Sequence, residues 1–345
     1  MENKYDAIII GAGVGGLTCA NLLAKEGMRV LIVEQHFKVG GYCTSYKRHG
    51  VMFDVPLIIG NMRQGDPIAG LFSYIGIDKK IDFLEVEKLV KLVGPDKTTI
   101  EWHADTYKLE NEFISKFFHE KPAIQKFFRV LRNIWYQISE SHYKPNFFQM
   151  LTYPVKFPLL VKYNNKTFRQ MLDEFFTDEK LKEFLGAESI TLGLDAQKVS
   201  ALFYIGYIMS YAAGGIWYPK GGFQKLSDSF AECLREYCGD IKLKTKVKKI
   251  IVEKNTAKGI ELENGEKIYA DYVISNADTK RTFLNMLEPG ILKQKFQSKV
   301  EKLEQSISGV VVKLAVDIEL PQLYNYAWLF HFPEYGSVTK MLELN

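Results

Sequence analysis

The sequence has little cysteine, and its spacing excludes two common ways of cross-linking a chain. Cys19, Cys43, Cys233 and Cys238 form no C-x-x-C pair. Neither a disulfide framework nor a thiolate zinc site is therefore predicted, and we expect reduced thiols in a cytoplasmic protein. The six histidines are scattered without an H-E-x-x-H spacing, so no metal site is expected.

The chain also lacks a strong excess of charge of either sign. Its 45 basic and 41 acidic residues give a net charge of +4, which does not indicate a nucleic-acid partner. Lysines recur at 242, 244, 246, 248 and 249, within a strand predicted over 241–252. Because the first three alternate along that strand, a solvated sheet face explains them.

Neither low-complexity segments nor internal repeats are found, and a strand beginning at Tyr5 leaves no room for a signal peptide. The chain has 345 residues, of which 47% are apolar. That length and composition are sufficient for a large core and suggest two domains.

Residues 5–34 show the pattern of a dinucleotide-binding βαβ unit. The apolar run 5–10 predicts a buried strand, and residues 11–16 spell G-x-G-x-x-G with one extra glycine. A helix is predicted from Leu17 to Glu26, followed by a second strand over 29–33 and the acid Glu34. A bare glycine motif is weak, but with both strands and the acid it is strong evidence.

Each part of this unit has a physical purpose. Gly11 permits a tight turn, Gly13 allows the backbone to approach a diphosphate, and Gly16 allows the helix to pack closely on the strand. The diphosphate is expected on unpaired N–H groups at the positive end of the helix. Glu34 is expected to accept hydrogen bonds from the ribose hydroxyls, and its minority reading is a solvated strand-end acid.

The glycine doublet Gly40-Gly41 follows the ribose acid and favours FAD over NAD, because it allows a second loop to lie over the diphosphate. Here the sequence resembles FAD-dependent oxidoreductases with a glutathione-reductase-type first domain. Within them it is similar to the phytoene desaturase, carotenoid isomerase and retinol saturase family. Residues 50–55, 217–223 and 273–278 match segments of that family in the same order.

The resemblance implies an α/β fold: a Rossmann-type FAD-binding domain with a second α+β substrate domain of mixed sheet plus helices. The FAD-binding domain is expected at 1–80 and 219–290, and the substrate domain at 81–218 and 291–345. A further strand of the substrate domain is expected to start within 308–316. The family usually has glycine where Pro56 stands, so we expect a different local backbone there.

The resemblance also implies that Val247 offers backbone groups to the adenine and that the Asn276 loop lies near the nucleotide. The full expected set of cofactor-binding residues is Gly11, Ala12, Gly13, Val14, Gly15, Gly16, Glu34, Gln35, Gly40, Gly41, Ser45, Val247 and Asn276. Cys43 is expected to be a structural thiol, with redox chemistry or a covalent flavin link as its less favoured role.

No catalytic side chain is nominated, because the sequence shows no Ser-His-Asp or Cys-His arrangement. Tyr218 and Lys220 fall where the family lines the flavin, with ordinary packing as the alternative. We expect an FAD-dependent oxidoreductase acting on an apolar polyene or isoprenoid-type substrate, with an unidentified electron acceptor. The single dinucleotide motif slightly favours desaturation or isomerisation over NADPH-driven saturation.

Three alternatives stay open. One is an NAD-dependent dehydrogenase built on the same βαβ unit, and another is an enzyme that oxidises amines. The third is a non-catalytic nucleotide- or lipid-binding fragment, because relatives continue beyond residue 345 into a second flavin signature. On that reading the chain is a fragment or a shortened relative.

Two apolar segments raise the question of membrane contact. Residues 199–219 carry no charge, but their four tyrosines and the Gly214-Gly215 pair favour a buried helix and a tunnel wall over a membrane span. Residues 147–163 combine apolar side chains and lysines without an acid. That composition fits peripheral contact with an anionic bilayer, and burial in the core fits equally well.

Overall fold

The computed structural model describes residues 5–55, 58–86, 88–141, 147–304, 311–319 and 326–336. The chain begins with strand β1 (Tyr5–Ile10), helix α1 (Val14–Lys25) and strand β2 (Val30–Val33). The two strands are parallel, with Ile8 opposite Leu31. The predicted βαβ unit is therefore present, and its buried strands explain the apolar runs.

The next part of the chain is mostly extended. Its elements are β3 (Ser45–Arg48), β4 (Val51–Asp54), β5 (Ile59–Gly60), α2 (Pro67–Ile75), β6 (Phe83–Glu85), β7 (Lys88–Val93) and β8 (Thr99–His103). Strands β7 and β8 form an antiparallel pair across the turn at 94–97. The prediction for Pro56 lies outside the described residues.

A helical region follows. It comprises α3 (Thr106–Lys116), α4 (Lys121–Glu140), α5 (Phe147–Lys156), α6 (Pro158–Tyr163), α7 (Phe168–Asp173), α8 (Glu179–Gly186) and α9 (Ala201–Gly214). Pro122 lies in the first turn of α4, and Thr167 closes a capping box on α7.

The chain then returns to the first sheet. The remaining elements are β9 (Ile216–Pro219), α10 (Phe223–Glu236), β10 (Asp240–Lys242), β11 (Val247–Glu253), β12 (Thr256–Leu262), β13 (Lys267–Ser275), a π-helical turn (Arg281–Asn285), α11 (Gln294–Glu301) and β14 (Tyr326–His331). The Asn264-Gly265 turn joins β12 to β13 as an antiparallel pair.

The main sheet has the strand order β10-β2-β1-β13-β12-β11. Strands β10, β2, β1 and β13 are parallel, so their carboxyl ends meet at one edge. Because the chain leaves β1 towards β2 on one side and β13 lies on the other, a crevice opens at that edge beside α1. This is the position at which open α/β sheets bind ligands.

Three apolar clusters hold the structure together. One packs α1, α2 and α10 against one face of β1 and β2, and a second packs β11, β12 and β13 against the other face. The third joins α3, α4, α6, α7, α8 and α9 to β7 and β8. Mixed α/β architecture with a largely parallel first sheet is thus confirmed, as predicted.

Two strand predictions were wrong. The strand predicted over 241–252 is broken, because residues 243–246 bend around the end of β2: the Thr245 N–H donates to Glu34 O at 2.8 Å and the Lys244 N–H to His36 O at 2.8 Å. The lysines at 242, 244 and 246 therefore do not share a strand face. Of the strand expected within 308–316, residues 311–316 are described and are not in a strand, while 308–310 lie outside the described residues.

The lysine run is nevertheless a solvated surface paired with acids. Lys242 contacts Glu266 at 3.0 Å, and Lys249 contacts Glu288 at 3.0 Å. These ion pairs offset the local positive charge. They remove the reason to consider a nucleic-acid surface there.

The uncharged segment 199–219 folds as α9 and β9 rather than as a long span. Tyr204 and Ile205 on α9 are fully buried in the helical core. Over the described residues, no helix has both the length and the apolar character needed to cross a membrane.

Candidate functional site

The glycine turn between β1 and α1 leaves the first amides of α1 exposed to the crevice. Gly13 is the N-cap residue; its lack of a side chain leaves the helix without a side-chain cap, and the first turn contains no acid. The backbone N–H groups at this helix end therefore carry uncompensated positive partial charge. Such an end binds an anionic group.

The glycine doublet packs on this turn, as predicted. The Gly40 N–H donates to Ala12 O at 2.8 Å, and Gly40 pairs with Gly13 in an isolated parallel bridge. A Cβ on Gly41 would lie 3.2 Å from Gly13 Cα. Two stretches far apart in sequence thus form one surface of bare backbone.

Glu34 lies at the end of β2 with its carboxylate in the crevice. One oxygen, Oε2, accepts from the Ala12 N–H at 2.8 Å, and Oε1 accepts from the His36 N–H at 2.8 Å. These bonds fix the carboxylate beside the glycine turn. Each carboxylate oxygen retains capacity to accept a further hydrogen bond from a ribose hydroxyl.

A cavity of about 890 Å³ runs from this turn and gathers most of the predicted site. The predicted residues that line it are Gly11, Gly13, Val14, Glu34, Gln35, Gly40, Gly41, Val247 and Asn276. Four predicted residues do not line it: Ala12, Gly15, Gly16 and Ser45. Ala12 and Gly16 are instead buried in the turn, where they shape its backbone.

One part of the cavity carries polar groups, and the resemblance implies that the adenosine side of the nucleotide lies there. Thr245, Lys246 and Val247 reach it from the bend before β11. Asp278 and Arg281 reach it from the loop after β13. The position of Val247 agrees with the expected backbone contact to the adenine, which stays a prediction.

The other end is apolar. It is lined by β5, by one side of α2 and by the first turn of α10, through Ile58, Ile59, Ile68, Leu71, Phe72, Phe223 and Leu226. The uncharged segment 199–219 contributes no wall to this cavity. The tunnel wall expected from this segment is therefore not part of the cavity, because α9 is packed inside the helical core.

Ser45 serves a structural purpose next to the cavity. Its Oγ accepts from the Gln224 N–H at 3.0 Å and donates to Asp54, whose Oδ1 also accepts from the Phe223 N–H at 3.0 Å. These two side chains therefore satisfy the first amides of α10. They hold the apolar end of the cavity in place through Phe223.

Tyr218 belongs to the same network. Its hydroxyl donates to Asp54 Oδ2, so that donor is already used within the protein. Burial and the adjacent Asp54 carboxylate raise the pKa of Tyr218 to about 12. Lys220 is exposed and lies 3.8 Å from Asp82. Packing explains the position of Tyr218, and solvation explains that of Lys220.

Cys43 lines the cavity, but its environment makes it a poor nucleophile. Burial raises the pKa of the thiol above its ordinary value, so the reactive thiolate is disfavoured at neutral pH. The described cysteines are all free. These observations favour the structural role that the sequence indicated.

The residues present fit FAD. A Cβ on Gly13 would meet only the Asn276 Nδ2 atom within 4 Å, so the space above the turn is open to a diphosphate. A carboxylate stands where a ribose would follow, and an apolar end continues beyond the diphosphate. The flavin, when bound, supplies hydride chemistry, and the chain supplies position and a dry environment.

Sequence reasoning missed the apolar end. Residues 68, 71, 72 and 75 of α2 are apolar at helical spacing, and this amphipathic pattern was the available signal. The contact of Ser45 and Asp54 with α10 carried no local signal. It joins segments more than 160 residues apart.

Among curated proteins, the chain is 28% identical over 321 residues to a prolycopene isomerase from Daucus carota, covering 90% of this chain and 51% of that protein. It is 26% identical over 322 residues to a 4,4′-diapophytoene desaturase from Methylomonas, covering 92% of this chain and 62% of that protein. The chain thus spans between half and two thirds of the length of these relatives.

Solved structures confirm the fold. An oxidoreductase from Methanosarcina mazei superimposes with a TM-score of 0.63 at 20% identity, covering 86% of this chain and 64% of that one. Residues 14–322 match the family described as flavin containing amine oxidoreductase. With nearly the whole chain matched and a cavity that fits the cofactor, this chain is a member of that flavin-containing family, and its cofactor is FAD.

Proposed function

We propose that this chain forms the cofactor-binding part of an oxidoreductase that acts on an apolar polyene or isoprenoid-type substrate. The named activities of its relatives, a prolycopene isomerase and a diapophytoene desaturase, support this substrate class. The proposed division assigns residues 1–80 and 219–290 to the FAD-binding domain and 81–218 and 291–345 to the substrate domain. The described cavity-lining residues all fall in the first pair of ranges.

The observation that carries the proposal is the continuity of the cavity. A single space joins the bare amides of the glycine turn to a wall of aliphatic and aromatic side chains. The polar end suits a diphosphate and a ribose, whereas the other end offers little to a polar molecule. An FAD molecule would occupy the polar end, and an apolar reactant beside its flavin ring would occupy the other end.

At the apolar end the chain's own residues orient the substrate and exclude water. Ile59, Leu71 and Phe223 present hydrocarbon surface, and burial keeps the Cys43 thiol beside Phe223 protonated. Reaction at a carbon–carbon bond of a polyene depends on positioning, since the conjugated chain itself spreads the developing charge. A dry wall serves that purpose.

Oxidation of an amine is the weaker candidate. Burial of a cationic amine is costly unless a carboxylate pairs with its charge. The described acids that line the cavity, Glu34 and Asp278, both lie at the nucleotide end. The apolar end therefore favours the polyene over the amine.

The test is to mix FAD-loaded protein anaerobically with an acyclic polyene in detergent micelles and follow the flavin absorbance. We expect bleaching for a reaction that withdraws hydride, or isomerisation of the polyene after chemical reduction of the flavin. The matched pair is Ile68→Arg, at the apolar end, and Leu314→Arg, which is on the surface. Only Ile68→Arg should abolish turnover. Bleaching by a diamine and not by the polyene would refute the proposal.

We further propose that the protein is cytoplasmic and that α5 and α6 attach it to a bilayer surface. Leu151 is 64% exposed, Val155 is 84% exposed and Val161 is 48% exposed. The segment 147–163 contains lysines and no acid. Exposed apolar side chains beside basic residues are what interfacial binding needs, and an apolar substrate would be delivered from the same lipid.

Vesicle flotation tests this attachment. Wild-type protein should float with vesicles that contain anionic lipid, and the double substitution Leu151→Glu with Val155→Glu should remove most of that binding. Val312→Glu, at another exposed apolar position, is the control and should float normally. Equal flotation of the control and the double variant would contradict the assignment.

A further inference from the structure

The glycine turn contains one glycine that the dinucleotide pattern does not require. In Gly11-Ala12-Gly13-Val14-Gly15-Gly16 the pattern accounts for positions 11, 13 and 16. Gly15 is in the first turn of α1 and does not line the cavity. Its backbone is not in the left-handed region, and alanine is the better helix former. Local structure therefore gives no reason for glycine here.

The reason for a glycine at position 15 lies on the neighbouring strand, at the residue that follows β13. A Cβ on Gly15 would stand 2.8 Å from Asn276 Oδ1, and the next nearest atoms, Cγ and Nδ2 at 3.5 Å, belong to the same side chain. Real Cβ atoms do not approach an oxygen so closely, so alanine at 15 would displace the Asn276 carboxamide.

The backbone of Asn276 is fixed while its carboxamide is available. The Asn276 N–H donates to Ile10 O at 2.8 Å, which continues the pairing of β13 with β1. Its side chain is exposed to the cavity. Among the described residues, no group shares a hydrogen bond with that carboxamide.

The carboxamide also reaches the turn residue that a diphosphate would cover. A Cβ on Gly13 would lie 3.3 Å from Asn276 Nδ2. The side chain therefore spans positions 13 and 15, directly beside the uncapped amides of α1. An amide N–H donor there adds to the backbone donors that face an anion.

We propose that Asn276 donates its side-chain amide to the diphosphate of FAD, and that Gly15 is glycine in order to admit it. Asn276 is thus a cofactor-positioning residue, and Gly15 is coupled to it rather than to the cofactor. The proposal rests on the FAD site argued above.

A double-mutant cycle on FAD affinity tests the coupling. The variants are Gly15→Ala, Asn276→Ala and the two together, with FAD binding followed by quenching of flavin fluorescence. One lost hydrogen bond to a charged group predicts roughly tenfold weaker binding for Asn276→Ala. Gly15→Ala should weaken binding by a similar factor, because it moves the same carboxamide. The double variant should bind no more weakly than Asn276→Ala alone.

Further variants separate hydrogen bonding from folding. Asn276→Asp keeps the shape but places a negative charge beside the diphosphate, so it should bind FAD at least tenfold more weakly than Asn276→Ala. Gly70→Ala, in α2 with open space around its Cβ, should leave affinity unchanged. Thermal unfolding without FAD should be the same or slightly higher for Gly15→Ala than for wild type.

The outcomes are distinct. If wild-type protein does not bind FAD, the cofactor site itself is wrong. If FAD binds and Gly15→Ala costs the same factor with and without Asn276, the coupling is refuted. If Asn276→Asp and Asn276→Ala bind equally well, the carboxamide only fills space, and its assigned contact with the diphosphate is overturned.

Discussion

Two regions of the molecule differ in what they are built from. They are the glycine turn between β1 and α1 and the helical core around α4 and α9. The turn is built from backbone, with glycines packed against glycines and one carboxylate fixed by two N–H groups. The helical core is built from side chains, and Phe127 alone lies against Phe128, Phe168, Phe175 and Phe176. The comparison teaches that cofactor binding here depends on where side chains are missing, whereas stability depends on where they are large.

The largest effect is expected from a cavity in the helical core. Phe127 is fully buried, so Phe127→Ala should lower the free energy of unfolding by about 3–5 kcal/mol. FAD affinity of the folded protein should change less than threefold, since Phe127 does not line the FAD cavity. Denaturant unfolding and flavin titration measure the two quantities. Phe118→Ala, at a site 71% exposed, is the control. A large loss of FAD affinity with Phe127→Ala would remove the distinction.

The opposite change adds a methyl group. We expect it to weaken FAD binding most when it is made in the glycine turn. A Cβ on Gly16 would lie 2.1 Å from Gly11 O, and backbone cannot move aside as a side chain can. Gly16→Ala should therefore weaken FAD binding on the order of 100-fold, or about 2.7 kcal/mol. Gly70→Ala has the same chemistry in open space and should be neutral. Comparable losses of FAD affinity for Gly16→Ala and Gly70→Ala would show that FAD binding does not depend on the missing side chain at position 16.

A smaller effect is expected where the turn uses a charge. Glu34→Gln keeps the side-chain shape but weakens its hydrogen bonds with the Ala12 and His36 N–H groups and with a ribose. FAD should bind about tenfold more weakly, measured by the same titration. Glu253→Gln, on the exposed end of β11, is the matched control. An unchanged affinity for Glu34→Gln would return Glu34 to the role of a solvated strand-end acid.

The smallest effect is expected at the hydroxyl group of Tyr218, outside both the glycine turn and the helical core. Tyr218→Phe removes the hydroxyl that donates to Asp54 and should cost about 1 kcal/mol at neutral pH. The folded pKa of about 12 exceeds the ordinary value of 10.0, so the protonated hydroxyl favours the folded state. That contribution is complete below pH 10.0 and is lost as the pH rises towards about 12.

The alkaline measurement compares two tyrosine variants. Wild type should lose more stability than Tyr218→Phe between pH 10.0 and about 12, as followed by denaturant unfolding. Tyr272→Phe, 61% exposed on β13, should behave as wild type does. Parallel curves for wild type and Tyr218→Phe would contradict the assigned hydrogen bond.

The same contrast explains what could be read from the sequence. The βαβ unit was predictable because each step is local: the apolar run of β1, the glycines and Glu34 each have one physical purpose. The bend at 243–246 was not, because it exists only where that segment meets the end of β2. The Ser45 and Asp54 contacts with α10 were hidden for the same reason, since packing between distant segments leaves no periodic pattern.

The most direct test is hydrogen exchange at the start of α1, with residue-level resolution across Val14, Gly15 and Gly16. These amides have no side-chain cap, so they should exchange rapidly without cofactor. Addition of FAD should slow their exchange, whereas FMN, which lacks the adenosine monophosphate portion of FAD and so has no diphosphate, should not. Tight FAD binding without any protection of these three amides would contradict the account.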